Sequence, residues 1–173
     1  MTDDQKLIEE CKIPLTKEEF ALVSPEDYDR VAKFKWHTKV YPDGRKYAAR
    51  SIKGKPTTIR LHRFILNPPK GKVVDHINHN CLDNRRENLR IATRSENNAN
   101  RFKSKGKFSS KYLGVTYYPY RSYQNKKMWM ASISHKDKSI TIGYFETEVE
   151  AAKARDKKAK ELFGKFTQVN FNE

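Results

Sequence analysis

Three short runs constrain the C-terminal third of this chain more than anything else in it. "YLGVTYY", "MWMASISH" and "SITIGYF" are β-rich, separated by polar turns, and followed by "TEVEAAKARDKKAKELFG". Side chains alternate across a strand, so such strands present one face to a core. Taken strand by strand, Val115, Tyr117, Trp129, Ala131, Ile133, Ile140 and Ile142 alternate onto one face, a helix-facing core; Thr116, Tyr118, Met130, Ser132, Ser134, Ser139 and Thr141 fall on the other. The segment that follows supplies the cover. Thr147 with Glu150 has capping-box spacing, Gly164 is a C-terminal stop, and Val149, Ala152, Ala159, Leu162 and Phe163 offer a helix face. Residues 111–171 therefore predict three antiparallel strands packed on one helix.

The first segment, residues 1–60, reads as short strands. "EFALVS" leads into "PEDYDRVAKF", a helical turn that Ser24 caps with Asp27 three residues on. "KWHTKVY", the turn "PDGRK" and "YAARSI" form a hairpin, and after "KGKP" the run "TTIRLHRFIL" is ended by Pro68 and Pro69. Residues 101–110 read as a flexible basic linker between two modules.

The formal charge is +15 on 173 residues, and 11 Lys/Arg face only 4 Asp/Glu in residues 61–110. Hydrophobic content of 36% leaves only thin, local cores, while aromatics reach 12%. Basic charge with many aromatic rings favours nucleic acid as partner. Cys11 and Cys81 lie far apart with no CxxC pair, which excludes a cysteine-built zinc site within this chain and fits a reducing compartment. The start "MTDDQKLIEECK" is acidic and lacks the apolar centre of a signal peptide, and no run is long and apolar enough for a membrane span. The expectation is a cytoplasmic protein.

Residues 73–98, "VVDHINHNCLDNRRENLRIATRSENN", set a carboxylate beside an imidazole. "KVVDHI" is a β-rich run, "ENLRIA" a second short strand, and Thr93 with Glu96 has capping-box spacing for a helix. Strand, loop, strand, helix is a compact ββα unit in which Asp75, His76 and Asn97 can converge. A carboxylate and an amide carbonyl are hard oxygen ligands for Mg²⁺ or Mn²⁺, and a neutral histidine takes a proton from water. The bland alternative is a polar surface turn. Asn98 and Asn100 compete with Asn97 as ligand. His79 is a substitute base, a phosphate contact or a plain loop residue, and His62 is a structural histidine or a phosphate contact with Arg63.

"DHINHN…ENLRIATRSENN" resembles the HNH (ββα-metal) endonucleases, particularly the phage and intron-encoded homing group, and "LHRFIL" resembles a stretch that commonly precedes the motif. The resemblance implies that residues 61–100 are a nuclease module. It makes His76 the general base and Asp75 and Asn97 the metal ligands. Asn88 is then the central asparagine that fastens the loop and orients the histidine. The last motif position is Asn rather than His, a variant accepted with Mg²⁺-type metals.

Residues 111–173 resemble a second family, the ethylene-response-factor (Apetala-type) DNA-binding domain, through Gly114-Val115, Trp129, Ala131, Ile133, Gly143, Phe145, Ala151-Ala152, Asp156, Gly164 and Asn170-Phe171. That resemblance implies a sheet face entering a major groove. The family's base-reading arginines are mostly replaced here by Ser, Thr and Tyr. The residues assigned to DNA are Arg63, Arg85, Arg86, Arg90 and Arg94 on the nuclease module, and Arg101, Lys103, Lys105 and Lys107 in the linker. On the outer sheet face they are Thr116, Tyr118, Ser132, Ser134 and Thr141. Arg121, Lys126 and Lys127, with Lys136 and Lys138, sit in turns, and the hairpin offers Arg45, Lys46, Arg50 and Lys53.

The expected fold class is α+β: antiparallel strands, the ββα-metal module, then the sheet packed on a helix. The expected function is site-specific, single-metal hydrolysis of duplex DNA, nicking as a monomer with no protein partner, in a phage-infected or bacterial cell. The rival is a non-catalytic DNA-binding regulator with a degenerate HNH fold. An RNA reading is weaker, because the outer face lacks the aromatic stacking pair of a single-strand platform.

Overall fold

The computed structural model describes residues 11–54, 56–103, 106, 108–118, 128–136 and 138–171, and the chain divides into two units, residues 1–93 and 94–173. Lys105, Lys107, Arg121, Lys126 and Lys127 lie outside the described residues. The fold is mixed α and β with small sheets, and no helix among the described residues is long and apolar enough to cross a membrane.

In the first unit, β1 (Lys12–Pro14) and β2 (Phe20–Val23) pair antiparallel, and β2 pairs in parallel with the two-residue β7 (Asp83–Asn84). α1 (Pro25–Ala32) begins with proline, whose fixed φ suits a first helical turn. β3 (His37–Val40) and β4 (Lys46–Ser51) form the expected hairpin. Its turn places Gly44 at φ 82, and the Asp43 carboxylate accepts the Arg45 amide. β5 (Thr58–Arg60) completes that sheet, and "TTIRLHRFIL" splits there, continuing as α2 (Leu61–Leu66). Asn67 in the left-handed region closes α2 ahead of Pro68. β6 (Val73–His76) pairs antiparallel with β8 (Leu89–Ala92), and a 3-10 turn at Arg86–Asn88 leads into β8. One core joins these pieces: Ile13, Val23, Val31, Trp36, Leu61, Ile65, Val74 and Leu89 are all buried in it.

Ser24 does not cap α1 through its side chain. Its hydroxyl accepts the Arg86 backbone amide at 2.8 Å instead, and Asp27 turns inward to take arginines. A long-range donor outcompetes the local one.

The second unit holds α3 (Arg94–Ala99), β9 (Val115–Tyr117), β10 (Trp129–His135), β11 (Lys138–Phe145) and α4 (Glu148–Phe163). The antiparallel sheet has the order β9, β10, β11. Thr147 and Glu150 form the reciprocal capping box, and Gly164 is the C-cap. Ala131, Val115, Ala151 and Ala152 pack together, and Ile133, Ala159 and Phe163 make a second patch, so α4 covers one sheet face. The register slips between Ala131, opposite Gly143, and Ser132, opposite Thr141, which puts Ile142 in a bulge. Val149 departs from expectation: it is exposed, and Ala151 takes the buried place in that first turn.

Gly114 sits at φ 72, and a Cβ there would lie 2.5 Å from the Ser132 carbonyl oxygen. Gly114→Ala is therefore expected to destabilise this unit by about 1–3 kcal/mol, since left-handed strain and a backbone clash act together. Gly143→Ala, whose methyl meets only the Phe145 ring at 3.4 Å, is the matched control in a thermal melt.

Candidate active site

The β6/β8 hairpin delivers Asp75 and His76 as neighbours at the end of β6. In its register Asp75 stands opposite Arg90 and His76 opposite Leu89. Both are 6% exposed. Arg90 Nε donates to Asp75 Oδ2 at 2.8 Å and its Nη2 lies 2.7 Å from the same oxygen, so the carboxylate is anchored from across the ladder.

The loop from Ile77 to Arg85 is closed by asparagines. Asn88 Oδ1 accepts the Asn78 amide at 2.9 Å, and its Nδ2 donates to the Asp83 carbonyl at 2.8 Å. The Ile77 amide donates to the Asn88 carbonyl, and Asn78 Nδ2 donates to the Asp83 carboxylate. One buried amide thus ties both ends of the loop. Asn88→Ala leaves a donor and a buried acceptor unsatisfied, and is expected to cost about 1–3 kcal/mol. Faster hydrogen exchange at the Asn78 amide would localise that loss to the loop.

His76 is walled by other side chains. Asn84 Oδ1 lies 3.5 Å from its Nε2, the His62 ring meets it edge-on at 5.0 Å, and the Tyr47 ring stands at 6.1 Å. Burial lowers the His76 pKa, against upward pulls from the Asn84 contact and from the charges of Asp75 and Asp83. His62 is pushed down to about 2, first by burial and then by the positive charge of His76, Arg60 and Arg63. Tyr47 is pushed up to about 12, first by burial and then by its contact with Cys81. With its pKa lowered, the His76 imidazole is neutral at neutral pH and can accept a proton.

Most of the arginine cluster engages the chain's own carboxylates. Arg85 binds Asp83 through Nε and Nη2 at 2.8 Å and reaches Glu87 at 3.0 Å. Arg86 grips Asp27 with Nε and Nη2, and Arg90 holds Asp75. Arg63, Arg94 and Arg101 are exposed. Lys103 donates to the Tyr112 carbonyl at 2.7 Å. In the hairpin, Arg45 pairs with Asp43, Lys46 with Glu19, and Arg50 stacks over Phe34 at 4.0 Å. In the second unit Tyr118, Ser134 and Thr141 are exposed, Thr116 and Ser132 half-buried, and Asn97 half-buried on α3. His79 occupies the loop at φ 64, and its amide donates to the His76 carbonyl.

Sequence reasoning missed the roles of four residues: Asn84 and Tyr47 flank the His76 ring, and Asp83 and Asp27 hold Arg85 and Arg86 of the adjoining turn. Among the described residues no group of three or more His, Cys, Asp or Glu side chains is gathered for a metal. Any bound ion would therefore draw on a sparse set of oxygen donors, completed by water or phosphate.

Comparison with known proteins bears on these residues directly. The HNH endonuclease family profile matches residues 67–99, the span from the end of α2 through α3. An uncharacterized HNH endonuclease of Acanthamoeba polyphaga mimivirus is 33% identical over 157 residues, covering 87% of this chain and 74% of that protein. No solved structure matches.

Proposed function

This chain belongs to the HNH endonuclease family, and from that premise we propose that it is a homing-type nuclease cutting one strand of duplex DNA per encounter. What most supports the reading is the neutral, buried His76 next to an anchored Asp75 at a strand end. His76 accepts a proton from water, and the resulting hydroxide adds to phosphorus. The phosphorus–oxygen ester bond breaks, and the leaving alkoxide takes a proton from solvent. The imidazolium then returns its proton to bulk water. Asp75 and Asn97 are the proposed ligands for one Mg²⁺ or Mn²⁺: a carboxylate and an amide oxygen match such hard cations. When bound, the ion supplies positive charge to the phosphate and the leaving oxygen. Asn88 keeps the loop closed beneath the imidazole, and Arg90 holds the carboxylate's orientation.

In this reading residues 61–100 act as the ββα-metal module and residues 111–173 as a tethering domain of the ethylene-response-factor type. The helix-free sheet face, with Tyr118, Ser134 and Thr141 exposed, supports the second assignment. Arg63, Arg94 and Arg101, exposed and basic, are the proposed phosphate contacts, with residues 1–60 extending the footprint. The enzyme acts as a monomer inside the cell that hosts the mobile element.

The test is incubation with fragmented genomic duplexes in EDTA and in Mg²⁺. Binding in EDTA and cutting in Mg²⁺ are expected. Equal retardation in both, with all fragments intact, would identify a DNA-binding regulator instead.

A further inference from the structure

We propose that Asn84 is a positioning residue that fixes the tautomer of His76, placing the ring proton on Nε2 and the lone pair on Nδ1. This rests on the reading of His76 as the base. Asn84 is fully buried, at 0% exposure. Its Nδ2 donates to the Leu82 carbonyl at 3.0 Å, so its oxygen is the atom turned to His76 Nε2, 3.5 Å away. Flipping the amide would set two oxygens against each other at Leu82, which decides its orientation. An oxygen facing a ring nitrogen calls for a donor there, so Nε2 carries the proton.

The backbone allows Asn84 little freedom. It pairs with Val23 in the parallel β2–β7 ladder, and the flanking Asp83 is gripped by Arg85 and by the Asn78 side-chain amide. The His62 ring, edge-on at 89° to the His76 ring, leaves that ring little room to turn. The two-residue strand β7 thus joins the N-terminal sheet to the protonation pattern of the base. The Asn84 side chain touches neither the phosphate nor the water in this scheme; it acts only through His76.

The experiment labels the full chain with ¹⁵N-histidine and reads long-range proton–nitrogen correlations, with the His76 signal assigned by its loss in His76→Ala. The wild type is expected to show a protonated Nε2 and an unprotonated Nδ1. Asn84→Leu, similar in volume and without an acceptor, is expected to give a tautomer mixture and a kcat lower by about tenfold or more at unchanged DNA affinity. Asn84→Asp keeps an acceptor toward His76 but sets a second oxygen against the Leu82 carbonyl, so it is expected to restore the protonated Nε2 while lowering stability. Protonation of Nδ1 in the wild type would overturn the assignment even if no variant folds, as would an unchanged tautomer in Asn84→Leu. The tautomer as assigned in a protein that cuts no DNA would leave the Asn84–His76 link standing and overturn the nuclease reading.

Discussion

His76→Ala is expected to lower the single-turnover rate of DNA cleavage by about 10²–10⁴-fold, the range for loss of a positioned general base, with duplex affinity unchanged. The imidazole is the one neutral proton acceptor that β6 places beside Asp75. Arg90, across the ladder, is cationic and cannot replace it. The ring also packs against His62 and Tyr47, so alanine opens a cavity. His76→Gln, which fills more of that space but is no base at neutral pH, separates chemistry from packing. Both variants are expected to lose the rate while keeping wild-type circular dichroism. A rate restored in His76→Gln would assign the histidine a packing role only.

The second large effect is on stability. Asp27 is 0% exposed and receives Arg30 Nε at 2.8 Å, Arg86 Nε at 2.7 Å and Arg86 Nη2 at 3.0 Å. It joins α1 to the turn carrying Asn88 across 59 positions of sequence. Asp27→Ala is expected to cost about 3 kcal/mol, the low end for breaking a buried ion pair, because Arg30 and Arg86 are partly exposed and can turn to water. Burial pushes the Asp27 carboxyl up, but hydrogen bonds and charge from Arg86 and Arg30 outweigh it and hold it below its ordinary value. A depressed carboxylate stabilises fully above its unfolded pKa, and that contribution is lost as pH falls through the folded one. The gap between wild type and Asp27→Asn in urea melts is therefore expected to hold at neutral pH and shrink below about pH 4. A gap independent of pH would contradict the ion-pair explanation.

These two residues also mark what was legible in the sequence. Asp75-His76, the Thr147–Glu150 box and the Gly164 stop were readable because each is local: adjacency, a spacing of three, a terminal glycine. The strand parity of the last sheet was readable for the same reason, apart from the bulge at Ile142. Asp27 was read as part of a local cap, because nothing near it announces a partner 59 residues away. Ser24 was misread with it. Arg85, Arg86 and Arg90 were read as phosphate contacts; their partners Asp83, Asp27 and Asp75 were not legible, since sequence shows charge but not which carboxylate takes it. For Arg90 a signal existed: counting an antiparallel register through the β6–β8 hairpin puts it opposite Asp75. Asn84 lies in a strand of two residues, too short for any periodicity to reveal. Val149 fell on the exposed side because α4 meets the sheet through its small residues, Ala151 and Ala152, in that turn.

The Asp75–His76 strand end is proposed to hydrolyse phosphodiester bonds. The most direct measurement is a gel of supercoiled plasmids carrying genomic inserts, treated with wild type or His76→Ala in Mg²⁺, Mn²⁺ or EDTA. Open-circle product from the wild type with metal, absent in EDTA and absent with His76→Ala, is the expected result; linear product would replace nicking with paired cuts. Intact plasmid throughout, or equal cutting by His76→Ala, would contradict hydrolysis at this strand end.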